Sequence, residues 1–240
     1  MHRVEHVMGM PIVVAVRDGD DESVVDDAFD WFRHVDATFS TYKPESEIGR
    51  IRSGELDAGD ASDEVQSVLA LCEELREETG GYFDAWRCSP DGLDPSGVVK
   101  GWAVDGAAAI LDRAGLRDYA VNAGGDIRLR GRWQVGIQHP TERAAVAKVV
   151  DASDLAIATS GAYARGEHVR DPHSAAAPSG ILSVTVAGGD LARADAYATA
   201  AFAMGVPRVI GWTARLRGYE ALTILADGRV LATPGFPDSE

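Results

Sequence analysis

Asp94-Pro95-Ser96-Gly97-Val98-Val99-Lys100-Gly101-Trp102-Ala103-Val104-Asp105 is the stretch around which the chain is organised. Asp94 is an acceptor placed before a turn. Gly97 lets a ligand or ion approach the backbone closely. Lys100 is a compact cation with three donors, and Gly101 is expected to keep side chains off the space beside it. The run continues as a helix through Ala107, Ala108, Ala109, Ile110 and Leu111. A glycine-containing turn feeding a helix suits an anion, because backbone amides and the helix dipole point at the same spot. No Ser or Thr follows the lysine, and the GxGxxG spacing is absent, so neither common nucleotide loop applies. On these residues alone, Lys100 is either an anion-binding cation or a solvated lysine on a glycine-started helix.

Upstream, residues 9–17 read as a strand that starts at a proline. Residues 23–39 read as a helix whose stripe is Val25, Ala28, Phe29, Phe32, Val35 and Phe39. A polar loop follows over 39–48, in which Tyr42 either stacks on a flat ring or anchors the loop to the core. Residues 62–79 read as a second helix, capped by Ser62 and stopped by Gly80-Gly81. Tyr82-Phe83-Asp84-Ala85-Trp86 is an aromatic turn leading into the central run.

Downstream, Tyr119–Asn122 is a short strand running into Ala123-Gly124-Gly125-Asp126. The glycine pair there marks either a bulge or a close backbone approach. Residues 127–131 and 133–137 alternate, and are expected to pair as a hairpin about a short glycine turn. Residues 155–161 form a buried strand ending in hydroxyls, and 181–187 another strand. Helices are expected over 191–204 and on to about 216. The last hairpin, 220–225 with 229–233, is expected to use Asp227-Gly228 in a primed turn. Strands and helices mix without strict βαβ alternation, so the expected class is α+β with largely antiparallel sheets, one domain over 1–240.

Apolar content of 45% and charged content of 25% are those of a soluble globular protein. A net charge of −15 argues against nucleic acid and anionic membrane as partners. The same field would repel a phosphate ester unless a divalent cation reversed it locally. Cys72 and Cys88 make no CxxC or zinc pattern, and suit a reducing compartment. No signal peptide or membrane span is read, so the expected location is the cytoplasm.

Two further places carry chemistry. Asp195 and Thr199 lie four apart on the helix over 191–204, so their oxygens share a face. A carboxylate with a hydroxyl suits Mg²⁺. Alternatively Thr199 bonds back to the carbonyl of residue 195 and Asp195 faces solvent. His168, before Asp171-Pro172, is either a general base with a suitable pKa or a histidine that holds a turn.

The pieces then fall into one order. Met8-Gly9-Met10, Ser40-Thr41-Tyr42 with Ser46-Glu47, and Gly81-Tyr82-Phe83-Asp84 come first. Asp94 to Gly101 with Asp105, Asn122-Ala-Gly-Gly-Asp126 and Thr159-Ser160-Gly161 follow. His168-Val-Arg-Asp171-Pro172 and Ala194-Asp195-Ala196 with Thr199 close the set. In this the chain resembles the ApbE family of FAD:protein FMN transferases over nearly its full length. The resemblance implies a fold related to T-fold proteins, FAD bound with Mg²⁺ at its pyrophosphate, and transfer of FMN to a Thr or Ser hydroxyl of an acceptor flavoprotein with release of AMP. Carried over, it implies Asp195, Thr199 and the Gly97 carbonyl as Mg²⁺ ligands, and Asp94 and Lys100 as FAD contacts. It implies Met8, Tyr42, Tyr82, Phe83, Asp84 and Val169 as pocket lining, and His168 as the group that assists the acceptor hydroxyl. Lys100, Asp195 and His168 would carry the catalysis. The chain departs from the family after Asp171-Pro172, where His173-Ser174 replaces a basic residue and Thr-Gly, and at Met10, where a Thr is usual. FAD hydrolysis to FMN and AMP, or FAD binding without catalysis, are the competing readings.

Overall fold

The computed structural model describes residues 1–87, 92–142, 144–161, 169–174, 176–206 and 208–238. The chain opens with two paired strands, β1 (His2–Val7) and β2 (Met10–Val16). Met8 and Gly9 between them are both left-handed (φ 56° and 73°), and Val7 faces Met10. This is a two-residue primed turn, whose twist matches that of the strands it joins. β1 escapes sequence reading because it alternates exposed and half-covered residues, has none buried, and carries no apolar run.

The remaining strands are β3 (Tyr119–Ala123), β4 (Asp126–Arg130), β5 (Arg132–Gln138), β6 (Val146–Ser153), β7 (Ala156–Gly161), β8 (Ile181–Gly188), β9 (Tyr219–Leu225) and β10 (Val230–Ala232). An eight-stranded sheet has the order β1-β2-β3-β4-β7-β8-β9-β10, and β5 and β6 form a separate two-stranded ribbon. Every pairing is antiparallel. The expected α+β class is therefore the observed one. No helix among the described residues is long and apolar enough to cross a membrane.

The helices are α1 (Glu22–Phe39), α2 (Glu47–Ser53), α3 (Asp63–Glu78), α4 (Ser96–Arg113), α5 (Leu191–Met204) and α6 (Arg208–Thr213). The helix α2 begins inside the stretch 39–48 read as a loop and extends beyond it. It has only Ile48 buried, too few residues for a periodic stripe, and depends on its cap: Ser46 Oγ accepts the Gly49 N–H at 2.9 Å.

Period-two alternation sends the side chains of the central strands to two different cores. On β7, Ala156 and Ala158 join a core with α1, α4 and α5, whereas Ile157 points to the other face. There it meets Leu129 of β4, Leu222 and Ile224 of β9, and Val135, Ile137 and Val150 of the ribbon. The expected hairpin of 127–131 with 133–137 is not formed, because β5 pairs with β6 instead. A single residue, Gly131, separates β4 from β5 and cannot reverse the chain. It carries the chain from sheet to ribbon, and Asp154 carries it back. Gly131 N–H donates to Asp154 Oδ1 (3.1 Å) and Asp154 N–H to the Gly131 carbonyl (3.3 Å), with both residues left-handed. The final hairpin pairs as expected, but Gly228 alone is left-handed in its turn (φ 86°). Leu225 exchanges with Gly228 and Arg229, so the loop is the three-residue kind with a left-handed glycine.

Helices α4 and α5 cross with their backbones in close contact. A Cβ on Gly101 would lie 2.5 Å from the Leu191 carbonyl oxygen and 2.7 Å from the Ala192 Cα. Gly101 is thus spent on the helix crossing, not on space beside Lys100 as expected. Four residues on, Asp105 Oδ2 accepts the amides of Leu191 (2.8 Å) and Ala192 (3.1 Å), while Asp190 Oδ1 accepts that of Arg193 (2.8 Å). Two carboxylates, one from another helix, satisfy the amides that open α5.

Gly101→Ala is expected to lose about 1–3 kcal/mol in urea unfolding, since backbone rather than a flexible side chain meets the new methyl. Gly211→Ala in α6, where nothing lies within 4 Å, is the control and should fall within about 1 kcal/mol of wild type. Equal losses at the two positions would contradict a backbone-limited crossing.

Candidate functional site

Lys100 leaves the second turn of α4 and meets two carboxylates. Its Nζ lies 2.5 Å from Asp126 Oδ2 and 3.5 Å from Asp195 Oδ2. Asp126 is 2% exposed and Asp195 4%. Asp126 Oδ1 also accepts the Thr159 N–H at 3.0 Å. Hydroxyls ring the cluster: Thr159 bonds Thr185 at 2.9 Å, and Ser160 bonds Thr199 at 3.0 Å. One ammonium thus lies between two buried carboxylates, in a place where charge is costly unless it is paired. Among the described residues, the cluster offers hard oxygens from carboxylates and hydroxyls. That is the chemistry of a Mg²⁺ site that keeps positions for water and phosphate oxygens, so the residues fit the ion.

Four separate pieces of chain build this cluster. The α4–α5 crossing brings Lys100 to Asp195. The β3–β4 turn brings Asp126: Gly124 and Gly125 are left-handed (φ 61° and 103°), Ala123 faces Asp126, and Asn122 Oδ1 accepts the Gly125 N–H at 3.0 Å. The glycine pair is therefore a primed hairpin turn rather than a bulge. The hydroxyl-rich end of β7 supplies Thr159 and Ser160. Asp195 does not face solvent, which removes the alternative considered for the 195/199 pair. Asp126 is the site residue that sequence reasoning missed. The available signal was an acidic residue opening a strand directly after Gly-Gly, where strand propensity disfavours one.

Other expected site residues gather around the start of α4. Asp94 Oδ1 accepts the Ser96 N–H at 3.0 Å, and its own N–H donates to the Ala85 carbonyl at 2.7 Å. The Phe83 ring packs on Gly97, so close that a Cβ there would be 3.0 Å from Cε2. Gly97 thus makes room for an aromatic ring. Tyr82 meets His173 edge-on at 4.6 Å, and His173 Nε2 lies 3.1 Å from the Gly80 carbonyl. Asp84, Gly81, Trp86, Arg87, Pro172 and His173 line a cleft of about 390 Å³. The aromatic turn and the Asp171-Pro172 loop, distant in sequence, are thereby joined. That loop closes on Asp171, whose Oδ1 accepts the His173 N–H (2.9 Å) and Oδ2 the Ser174 hydroxyl (2.8 Å). Val169 packs against the main core, and Met8 sits half-buried in the β1–β2 turn. Tyr42 is 94% exposed, so it does not anchor its loop. His168 and Cys88 lie outside the described residues.

The charge at the α5 start is also tuned. Burial first, and the charge of Asp190 second, push the Asp105 carboxyl from 3.8 up to about 6, against the Ala192 and Leu191 amides and Arg128. A raised folded-state pKa means that the folded protein holds this proton more tightly than the unfolded chain. The Asp105 contribution is thus largest in acid and is lost as pH rises through about 6. Asp105→Asn keeps an oxygen acceptor without the charge. In urea titrations it should gain on wild type by roughly 2–3 kcal/mol between about pH 4 and pH 7. A constant difference across that range would contradict this account. Asp126→Ala strips Lys100 of its nearest carboxylate and Thr159 of its acceptor, and should cost about 3–5 kcal/mol. A loss under about 1 kcal/mol would mean that the pair is solvated rather than buried.

The ApbE family model matches this chain over residues 8–90 and 87–223. The FAD:protein FMN transferase of Vibrio cholerae is 34% identical over 132 residues, 48% of this chain and 40% of that protein. The enzyme of the same name from Rhodobacter capsulatus is 35% identical over 158 residues, 59% of this chain and 30% of that one. The chain therefore spans less than half the length of these curated relatives. Among solved structures, the flavin transferase ApbE from Vibrio cholerae superposes with a TM-score of 0.86 at 24% identity, covering 98% of this chain and 97% of that one. The ApbE protein from Thermotoga maritima gives 0.87 at 20% identity, covering 100% and 99%. These two likenesses establish the fold. With the family match running from Met8 to Thr223, the chain belongs to the ApbE family.

Proposed function

We propose that residues 1–240 act as one flavin-transferase unit, which moves the FMN part of FAD to a Thr or Ser hydroxyl of an acceptor protein and releases AMP. The observation that carries this reading is the buried Lys100–Asp126–Asp195 cluster beside the Ser160–Thr199 hydroxyl pair. The names of the relatives support it. In the reaction the acceptor oxygen bonds to the FMN-side phosphorus, the P–O–P bridge breaks, and AMP leaves with the bridging oxygen.

Such a transfer needs the pyrophosphate held in line and its growing charge neutralised. Lys100 supplies a cation at that point, and Asp126 fixes its direction. Asp195, Thr199 and the Gly97 carbonyl would hold Mg²⁺, which when bound supplies charge neutralisation at the phosphate oxygens. Met8, Tyr82, Phe83, Asp84, Asp94 and Val169 would line the FAD pocket, with exposed Tyr42 free to stack on a planar ring. His168 takes the proton of the acceptor hydroxyl. A cytoplasmic setting, read from cysteine usage, belongs to the same proposal.

The test is incubation with FAD, Mg²⁺ and a protein bearing the acceptor hydroxyl, followed by intact-mass analysis. A mass gain equal to one FMN is expected, with equimolar AMP. Asp195→Ala should lower the rate by at least about a hundredfold, the scale for removing a group that acts on developing charge. AMP appearing without a mass gain would show hydrolysis instead. The rebuilt loop closing on Asp171 is the observation that favours this second reading, because it differs where an acceptor would be recognised. Intact FAD throughout would overturn both.

A further inference from the structure

On α5, Arg193 and Tyr197 are spaced like Asp195 and Thr199 but two residues out of phase, which turns them to the opposite side of the helix. That side borders a second cleft of about 620 Å³, closed by the end of α3, by α6 and by the start of β9. Its lining includes three guanidiniums, Arg193, Arg215 and Arg217, and the carboxylate of Glu78; Glu74, just outside the lining, also pairs with Arg193 at 2.7 Å. Glu78 is already engaged: its Oε atoms take Arg193 Nη1 (2.9 and 3.0 Å) and the Tyr197 hydroxyl (2.6 Å). Arg215 and Arg217 are exposed, and neither side chain makes an ion pair or hydrogen bond among the described residues. In a chain of net charge −15, two uncommitted guanidiniums at one cleft are a local reversal of sign.

The rest of the lining is aromatic. Trp212 and Tyr219 each meet Tyr197 steeply, at 69° and 83°, with ring centroids 5.8 and 5.0 Å apart. Both are only partly covered. Arg193 is held by Glu78 and Glu74 together, so Arg215 and Arg217 are the guanidiniums left to a phosphate monoester, whose oxygens guanidinium forks fit bidentately. Partly covered indole and phenol rings beside such a pair suit a planar ring. The volume is that of a small-molecule site. We infer that this cleft binds a phosphate monoester carrying a planar aromatic ring, a nucleoside or flavin monophosphate, at a place separate from the Lys100 cluster. The inference does not rest on the transferase reading.

The test uses the full chain labelled with 5-fluorotryptophan. It has five tryptophans, and Trp212→Phe assigns the resonance of interest. AMP and FMN are titrated separately, with adenosine and inorganic phosphate as the partial ligands. Saturable movement of the Trp212 resonance by AMP, by FMN or by both is expected, and which of them acts identifies the source. Arg215→Ala/Arg217→Ala, an exposed pair, should weaken that response by roughly tenfold or more, with Arg→Lys at both positions intermediate. The inference is overturned if millimolar AMP and FMN leave the resonance unmoved, or if the double variant responds like wild type. It is also overturned if adenosine alone, or phosphate alone, binds as well as the monophosphates.

Discussion

The contact between α4 and α5 is the constraint on which the rest of the structure depends. Two helices carry the cation and the acidic face of the site, and neither helix alone places them. Gly101 lets the α4 backbone come against the first residues of α5, and Asp105 fastens that end by taking two of its amides. With the crossing fixed, Lys100, one residue from Gly101, and Asp195, one turn into α5, must meet. A longer side chain at position 101 would separate charges whose attraction falls with distance and rises with burial. The same few residues thus determine both packing and electrostatics.

Burial gives the cluster its character. Lys100 with two carboxylates in water would be an unremarkable surface group. At the depth of Asp126 and Asp195, the ion pairs with Lys100 are shielded from water, and hydroxyls of Thr159, Thr185, Ser160 and Thr199 lie beside them. A chain with so many carboxylates can receive an anionic ester only where charge has been locally reversed. The Asp105 carboxyl, forced up by burial and by Asp190, shows the cost of gathering acids at one helix start.

The sheet and its ribbon serve this arrangement from below. Primed turns at Met8-Gly9 and Gly124-Gly125 end neighbouring hairpins at one side of the sheet, where Met10 Sδ approaches Gly124. The second turn delivers Asp126. On the other face the β5–β6 ribbon covers apolar residues that the helices cannot reach. The crossover at Gly131 and Asp154 lets one continuous segment leave the sheet and return without opening it.

The sequence by itself determined what is local. Apolar stripes marked α1 and α3, the Gly188-Gly189-Asp190 cap marked α5, alternation marked β4, β5 and β8, and the four-residue spacing placed Asp195 and Thr199 on one face. It also supplied the family resemblance, because the motif order is a property of the chain. It misread whatever depends on a partner far away in sequence. Residues 132–138 look like half of a hairpin until β6 offers a better partner, and Gly101 looks like room for a ligand until the Leu191 backbone fills it. Asp126 looks like a turn acid until folding sets it against Lys100. Hydrogen-bond pairing and close packing are decided by which surfaces meet, and only the tertiary structure brings those surfaces together.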